Sequence, residues 1–154
     1  MSRPPTETER HEIERVLFAY CDLVDRAHVD ELAELFTDDA VIDYGYDRLI
    51  TGREQIRNLF HDRLARYLGT SHHASNVTVE LTDDAAAIAS SAVYAWHRLP
   101  NGDTAEVWGR YDDELAHDGT TWRLARRTIR AAGWQGFEVP DGLPGPFEPI
   151  ERGV

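Results

Sequence analysis

The sequence predicts an α+β domain, with a few helices packed against a mostly antiparallel sheet. Three observations carry this. In the N-terminal part, Ile13, Val16, Leu17, Tyr20 and Val24 recur at spacings of three and four, the period of an amphipathic helix. From Thr70 onward the period becomes two: Val77, Val79 and Leu81 alternate with Thr78 and Glu80. Pro100-Asn101-Gly102-Asp103 then forms a strong hairpin turn between two long strands. Helices that precede a hairpin-connected meander gather on one side of the sheet.

Taken in order, residues 7–27 read as the first helix. Glu7, Glu9, Glu12 and Glu14 crowd its first half, where the helix dipole favours acids. A second, short helix is predicted from Val29 to Phe36, and Thr37-Asp38-Asp39 is a turn signal. Ala40 to Tyr44 is a short strand and Gly45 to Thr51 a loop. Gly52 opens a third helix that reaches about Leu68, with Ile56, Leu59, Phe60 and Leu64 on one face, and Gly69 stops it. The strand from Thr70 turns at Thr82-Asp83-Asp84. Further strands follow over Ala85 to Leu99, Thr104 to Leu115 and Thr121 to Ala132, the last two separated by His117-Asp118-Gly119. The tail from Gly133 is rich in Pro and Gly. Its Trp134, Phe137 and Phe147 either pack on the domain or belong to a disordered end. The expected organisation is a flexible N-terminus over 1–8, one domain over 9–132 and a tail over 133–154.

The chain has 154 residues, enough for one sizeable core. Its net charge of −12, from 16 basic and 28 acidic residues, argues against nucleic acid or an anionic membrane surface as a main partner. Every basic residue is Arg. The single cysteine, Cys21, cannot form an internal disulfide and reads as a small buried hydrophobe. Met1 to Thr8 is polar with no apolar signal region, and no run approaches membrane-spanning length, so a cytoplasmic location is expected. No phosphate loop, Gly-x-Gly-x-x-Gly pattern or nucleophile elbow occurs, and no cofactor is expected.

The residues that could carry chemistry centre on Ser71-His72-His73-Ala74-Ser75-Asn76, at the entrance of a strand. Histidine titrates near neutrality, and a carboxylate that orients one makes a general acid–base pair. Neighbours on a strand point to opposite faces, so His72 and His73 cannot both face one pocket. Simple alternation puts His73 in phase with Val77 and Val79. The same divergence makes the pair poor metal ligands, and no Cys ligand cluster is present. Asp25 closes the first helix on its apolar side, at the end where the dipole disfavours an acid. Either a cation from elsewhere compensates it, or it is an exposed acid at a frayed end. His97 is in phase with Val93 and Ala95 but lies just before a hairpin, so pocket and solvent are both open to it. Tyr20 lies in the helix seam. Trp96, Trp108 and Tyr111 could line an apolar pocket or serve as plain core or interface. Arg126, Arg127 and Arg130 are expected to pair with acids.

The segments Tyr20 to Asp25, Asp30-Glu31-Leu32, Leu35 to Val41, Gly52 to Ile56, His72 to Asn76 and Asp118 to Arg123 together resemble the SnoaL-like family of the nuclear transport factor 2-like superfamily. The resemblance spans residues 8–132. It implies a cone-shaped α+β barrel with an apolar pocket between sheet and helices. It is strongest to the scytalone dehydratase, hexachlorocyclohexane dehydrochlorinase and bile-acid dehydratase branch, which uses a histidine–aspartate pair. The positions that match are Asp25 and His72. The spacing to Asn76 favours His72 over His73, and a bulge near the strand start would reset the phase. Tyr20 and Tyr44 lie where pocket tyrosines are expected, and His97 lies near a second pocket histidine.

The resemblance therefore implies a cofactor-independent lyase of the dehydratase type, acting on a small, largely apolar ring or polyketide-like substrate. Asp25, His72, Tyr20 and Tyr44 would be catalytic, with His73, Asn76, His97, Trp96 and Trp108 contacting substrate and no metal. An isomerase or cyclase in the same pocket, or a non-catalytic binding or assembly module, is the alternative. A homodimer or homotrimer is expected.

Overall fold

The computed structural model describes all of residues 1–154. In chain order the elements are α1 (Glu7–Asp25), α2 (Val29–Ala33), β1 (Phe36–Asp43), β2 (Leu49–Thr51), α3 (Arg53–Leu64), β3 (Gly69–Asp83), β4 (Ala86–Arg98), β5 (Thr104–His117) and β6 (Trp122–Gln135). They build a six-stranded sheet in the order β2-β1-β6-β5-β4-β3. Every neighbouring pair is antiparallel except β1 and β6, which run parallel. No helix is long and apolar enough to cross a membrane.

The first helix starts where its sequence provides a cap. The Thr6 hydroxyl accepts from the Glu9 N–H at 3.2 Å, and the Glu9 carboxylate accepts from the Thr6 N–H at 2.8 Å. Its apolar face, including Ile13, Leu17, Tyr20 and Val24, is buried in one core with residues of α2, α3 and the sheet. Ile13, Leu32, Phe36, Ile42, Ile56 and Leu124 are fully buried. Each such side chain contributes about 1.5–3 kcal/mol through loss of water contact. The sheet bends at register shifts, two in the β3–β4 pair, between Ser75 and Thr78 and between Leu81 and Asp83, and two in the β5–β6 pair. Gly109 sits at one of these, where a Cβ would collide with the Arg130 carbonyl oxygen.

Several boundaries differ from expectation. The second helix ends at Ala33 rather than Phe36, and Thr37-Asp38-Asp39 is part of β1 rather than a turn. The cause is the parallel partner. The Leu124 N–H donates to the Leu35 carbonyl at 2.8 Å and Phe36 pairs with Leu124. The register then slips before Val41, which lets Asp38 and Asp39 stay exposed on an extended chain. The end of the expected loop at 45–51 pairs with β1 as β2. The third helix stops at Leu64, after which Arg66 and Tyr67 donate to carbonyls only three residues back. Gly69 opens β3.

Both termini are held. Arg3 and Leu81 exchange backbone hydrogen bonds of 2.9 and 3.0 Å, tethering the segment expected to be flexible. In the tail, the Ala131 N–H donates to the Glu148 carbonyl at 2.9 Å and the Ile150 N–H donates to Ala131 at 3.0 Å. Arg48 donates to the Pro146 carbonyl at 2.9 Å. Phe137 and Phe147 meet edge to face at 5.4 Å. The tail packs on the domain.

Candidate active site

A cavity of about 100 Å³ opens between α1, α3 and the concave face of β4, β5 and β6, and 13 of its 18 lining residues are hydrophobic. Val24, Phe60, Val93, Ala95, Val107 and Ile129 supply apolar wall, and Phe137 and Phe147 of the tail close one side. The hydrophobic count includes Tyr20, Tyr44, Tyr67 and Tyr111, whose hydroxyls join His72, His97, Arg63 and Arg130 as the polar groups of the lining. A mainly apolar cleft with a few convergent polar groups is the usual form of a small-molecule site.

Asp25 and His72 meet at the edge of this cavity. The His72 Nδ1 lies 2.7 Å from Asp25 Oδ1, and the His72 backbone N–H donates to Oδ2 at 2.8 Å. The Thr70 hydroxyl donates to Oδ1 at 2.8 Å. The last residue of α1 is thereby bound to the first turns of β3 through three hydrogen bonds. α1 has no basic residue in its last turn, so these bonds are what offset the unfavourable dipole at Asp25. Burial pushes the Asp25 carboxyl up, but the His72 ring, the His72 amide and Thr70 together outweigh it and hold the group below its ordinary range. Asp25 is therefore ionised at neutral pH and acts only as an acceptor. The proton in the contact therefore sits on His72 Nδ1, and Nε2 is the ring nitrogen turned away from Asp25.

His72 lines the cavity and His73 does not. His73 is exposed on the outer face, against Tyr94 at 5.9 Å. The cause is the extra residue between Ser75 and Thr78, where Asn76 adopts φ 52°. Before this bulge the even-numbered positions face inward; after it Val79 and Leu81 do. Several residues expected to contact substrate lie away from the cavity. Asn76 is the exposed bulge residue itself. Trp96 and Trp108 lie out of phase with the inward Ala95, His97 and Val107, and Trp108 stacks on Tyr94 at 5.7 Å with 43% exposure. His73, Asn76, Trp96 and Trp108 are absent from the cavity wall.

Tyr20, Tyr44 and His97 do line it. His97 is buried despite its place near a hairpin, because Tyr67 (4.8 Å) and Phe137 (5.1 Å) pack on its ring. Burial first, and then the charge of His72, push it down to about 4, so its ring is neutral. Its Nδ1 is buried without a partner. Tyr20 is raised above the ordinary phenol range by burial, with Tyr44 adding and Arg127 opposing, and so remains a protonated donor. Burial likewise raises Tyr67 and Tyr111. Cys21 is pushed up to about 11 by burial and is an unreactive thiol.

No motif in the sequence marks Tyr67, Arg63 or Thr70 as site residues. Phe60, Leu64 and Tyr67 follow the spacing of one helical face, which was the available signal for α3. The arginine cluster pairs with acids: Arg126 and Arg130 with Asp43, and Arg127 with Asp113. Arg127 is the exception in burial. Its guanidinium is fully enclosed and lies 4.1 Å from both the Tyr20 and Tyr111 ring centres, behind the cavity wall.

A mainly apolar cavity, walled by helices and a curved sheet, thus carries a histidine–aspartate pair at its edge on an α+β cone. Residues 6–128 match the SnoaL-like domain, and the chain belongs to that family. An uncharacterised protein of Mycobacterium tuberculosis is 31% identical over 127 residues, spanning 78% of this chain and 83% of its own. Among solved structures, a provisionally named scytalone dehydratase from Novosphingobium aromaticivorans superposes with a TM-score of 0.86 at 28% identity, covering 96% of each chain. A hexachlorocyclohexane dehydrochlorinase superposes with a TM-score of 0.76 at 18% identity over 88% of this chain and 96% of its own, a likeness of fold.

Proposed function

We propose that the protein is a cofactor-independent lyase that removes water from a small, largely apolar ring or polyketide-like molecule. The observation that carries this reading is the 2.7 Å contact between His72 Nδ1 and Asp25 Oδ1 at the wall of an apolar cavity. Two structural neighbours carry names of elimination chemistry, one a provisionally named scytalone dehydratase and the other a hexachlorocyclohexane dehydrochlorinase.

In this reaction His72 Nε2 takes a proton from carbon. The C–H electron pair forms the new carbon–carbon double bond, and the adjacent C–O bond breaks. The departing hydroxyl receives a proton from the imidazolium and leaves as water. Asp25 holds the opposite ring nitrogen, fixes the tautomer and stabilises the imidazolium as it forms. Tyr20 and Tyr44 donate their hydroxyl hydrogens to a carbonyl or to the departing hydroxyl. A well-placed proton-transfer group supplies about a hundred- to ten-thousand-fold in rate, so positioning by the apolar wall must provide the rest.

The test is a panel of β-hydroxy carbonyl and hydroxylated ring compounds, followed by the ultraviolet absorbance of the conjugated product. The reading predicts that at least one is dehydrated by the wild type and not by His72→Ala. Conversion of none, or conversion that survives in His72→Ala and Asp25→Asn alike, contradicts it.

A further inference from the structure

Two arginines reach the cavity, and they differ in one respect. Arg130 has two carboxylates beside it, Asp43 at 3.3 Å, which it shares with Arg126, and Glu148 at 3.7 Å. Arg63, in the last turn of α3, has no carboxylate partner. Its guanidinium instead lies over the Tyr44 ring, 4.1 Å from the centre. In a chain with 28 acids against 16 arginines, a half-buried arginine left without an acid is a departure from the surrounding pattern.

The neighbourhood adds a second cation without an acid in contact. Arg48 donates only to neutral carbonyls, those of Gly45, Tyr44 and Pro146. Burial first, and then the charge of Arg63, pull Arg48 below the ordinary arginine range. Arg48 does not line the cavity, and Glu148 partly offsets the effect of Arg63 on it, so Arg63 is the cation that the cavity itself presents without a carboxylate, on the same lining as His72. An anion beside Arg63 would gain a charge-assisted hydrogen bond in a place poor in water. Tyr44 and Tyr67 line the same cavity and add phenol groups to its wall.

We propose that Arg63 is a specificity-determining residue and that the substrate is a ring compound bearing a carboxylate, which Arg63 binds while the ring fills the apolar part of the cavity. This deepens the elimination reading and rests on it for the word substrate, but the binding site stands without turnover. Stacking on Tyr44 pre-orders the guanidinium, so less side-chain freedom is lost when the carboxylate arrives.

The experiment is calorimetric binding of three carboxylates, benzoate, cyclohexanecarboxylate and 1-naphthoate, each against its neutral amide. The wild type is expected to bind at least one carboxylate tenfold or more tightly than its amide. Arg63→Met should abolish that preference while the far-ultraviolet circular dichroism of the folded chain is retained. His72→Ala should retain the preference. No carboxylate preference in any of the three pairs, absence of binding included, overturns the proposal, as does a preference that survives in Arg63→Met. Dehydration without carboxylate preference sinks this inference alone. Carboxylate preference without dehydration of any compound sinks the lyase reading alone.

Discussion

The ring of His97 stands 5.4 Å from that of His72 and nearly perpendicular to it, at 81°. Only one of the two has a carboxylate partner. His97 is held neutral down to about 4 by burial and by the neighbouring His72, whereas an unfolded histidine takes its proton near 6.5. Between these values the unfolded chain binds more protons than the folded one, so stability must fall as pH drops through that window. The loss is on the order of 2–3 kcal/mol across the window. The carboxyl of Asp25, held below its ordinary value, contributes stability that is lost only below that range, as pH falls toward its folded value. Urea unfolding at pH 6.5 and 4.5 checks this. His97→Phe, which suits a site packed by Tyr67 and Phe137, should flatten the dependence in this window, and an unchanged slope would assign it to other groups.

The buried pair of Arg127 and Asp113 makes a second prediction. Two parallel hydrogen bonds of 2.8 Å join them, and neither side chain is exposed. Arg127→Met would leave a buried carboxylate without its partner, at a cost of about 3–5 kcal/mol. Arg127→Met combined with Asp113→Leu should recover most of that loss in denaturant unfolding. A double variant as unstable as the single one would mean that the stacking of Arg127 on Tyr20 and Tyr111 is the larger effect.

A third concerns how the tail is fastened. Gly45 has φ +80°, and a Cβ there would run into the Glu148 side chain, whose carboxylate accepts from the Tyr46 N–H. Gly45→Ala should therefore release the segment that carries Phe147 to the cavity and destabilise the protein by about 1 kcal/mol or more. Limited proteolysis beyond Gly136 should become several-fold faster while the circular dichroism of the sheet is retained. Unchanged cleavage would show that the contacts of Ile150 and Arg48 suffice without Glu148.

The parts legible in the sequence were those with local causes. The period of α1, the Asn101-Gly102 hairpin and the alternation along β4 follow from short-range pattern. The choice of His72 over His73 did not, because a single extra residue at Asn76 inverts the phase of everything before it. The resemblance to a family supplied that choice. Alternation alone pointed to His73. The parallel pairing of β1 with β6 joins residues more than 80 positions apart, and it converted an acidic turn signal at Thr37-Asp38-Asp39 into strand. Trp96 and Trp108 illustrate the same limit: composition made them pocket candidates, and their phase relative to Ala95 and Val107 places them outside. Arg127 shares the inward phase of Ile129 and Ala131, but its burial depends on Asp113 across the sheet, which no local pattern announces.

The central claim is that His72, oriented by Asp25, is the base. It is tested most directly by comparing turnover of one dehydrated compound in the wild type, His72→Ala, Asp25→Asn and His73→Ala. The account predicts that kcat falls by about a hundredfold or more in the first two variants and stays within about twofold of wild type in His73→Ala, since that ring faces away from the cavity. Turnover that persists in both His72→Ala and Asp25→Asn, or that is lost in His73→Ala as fully as in His72→Ala, would contradict it.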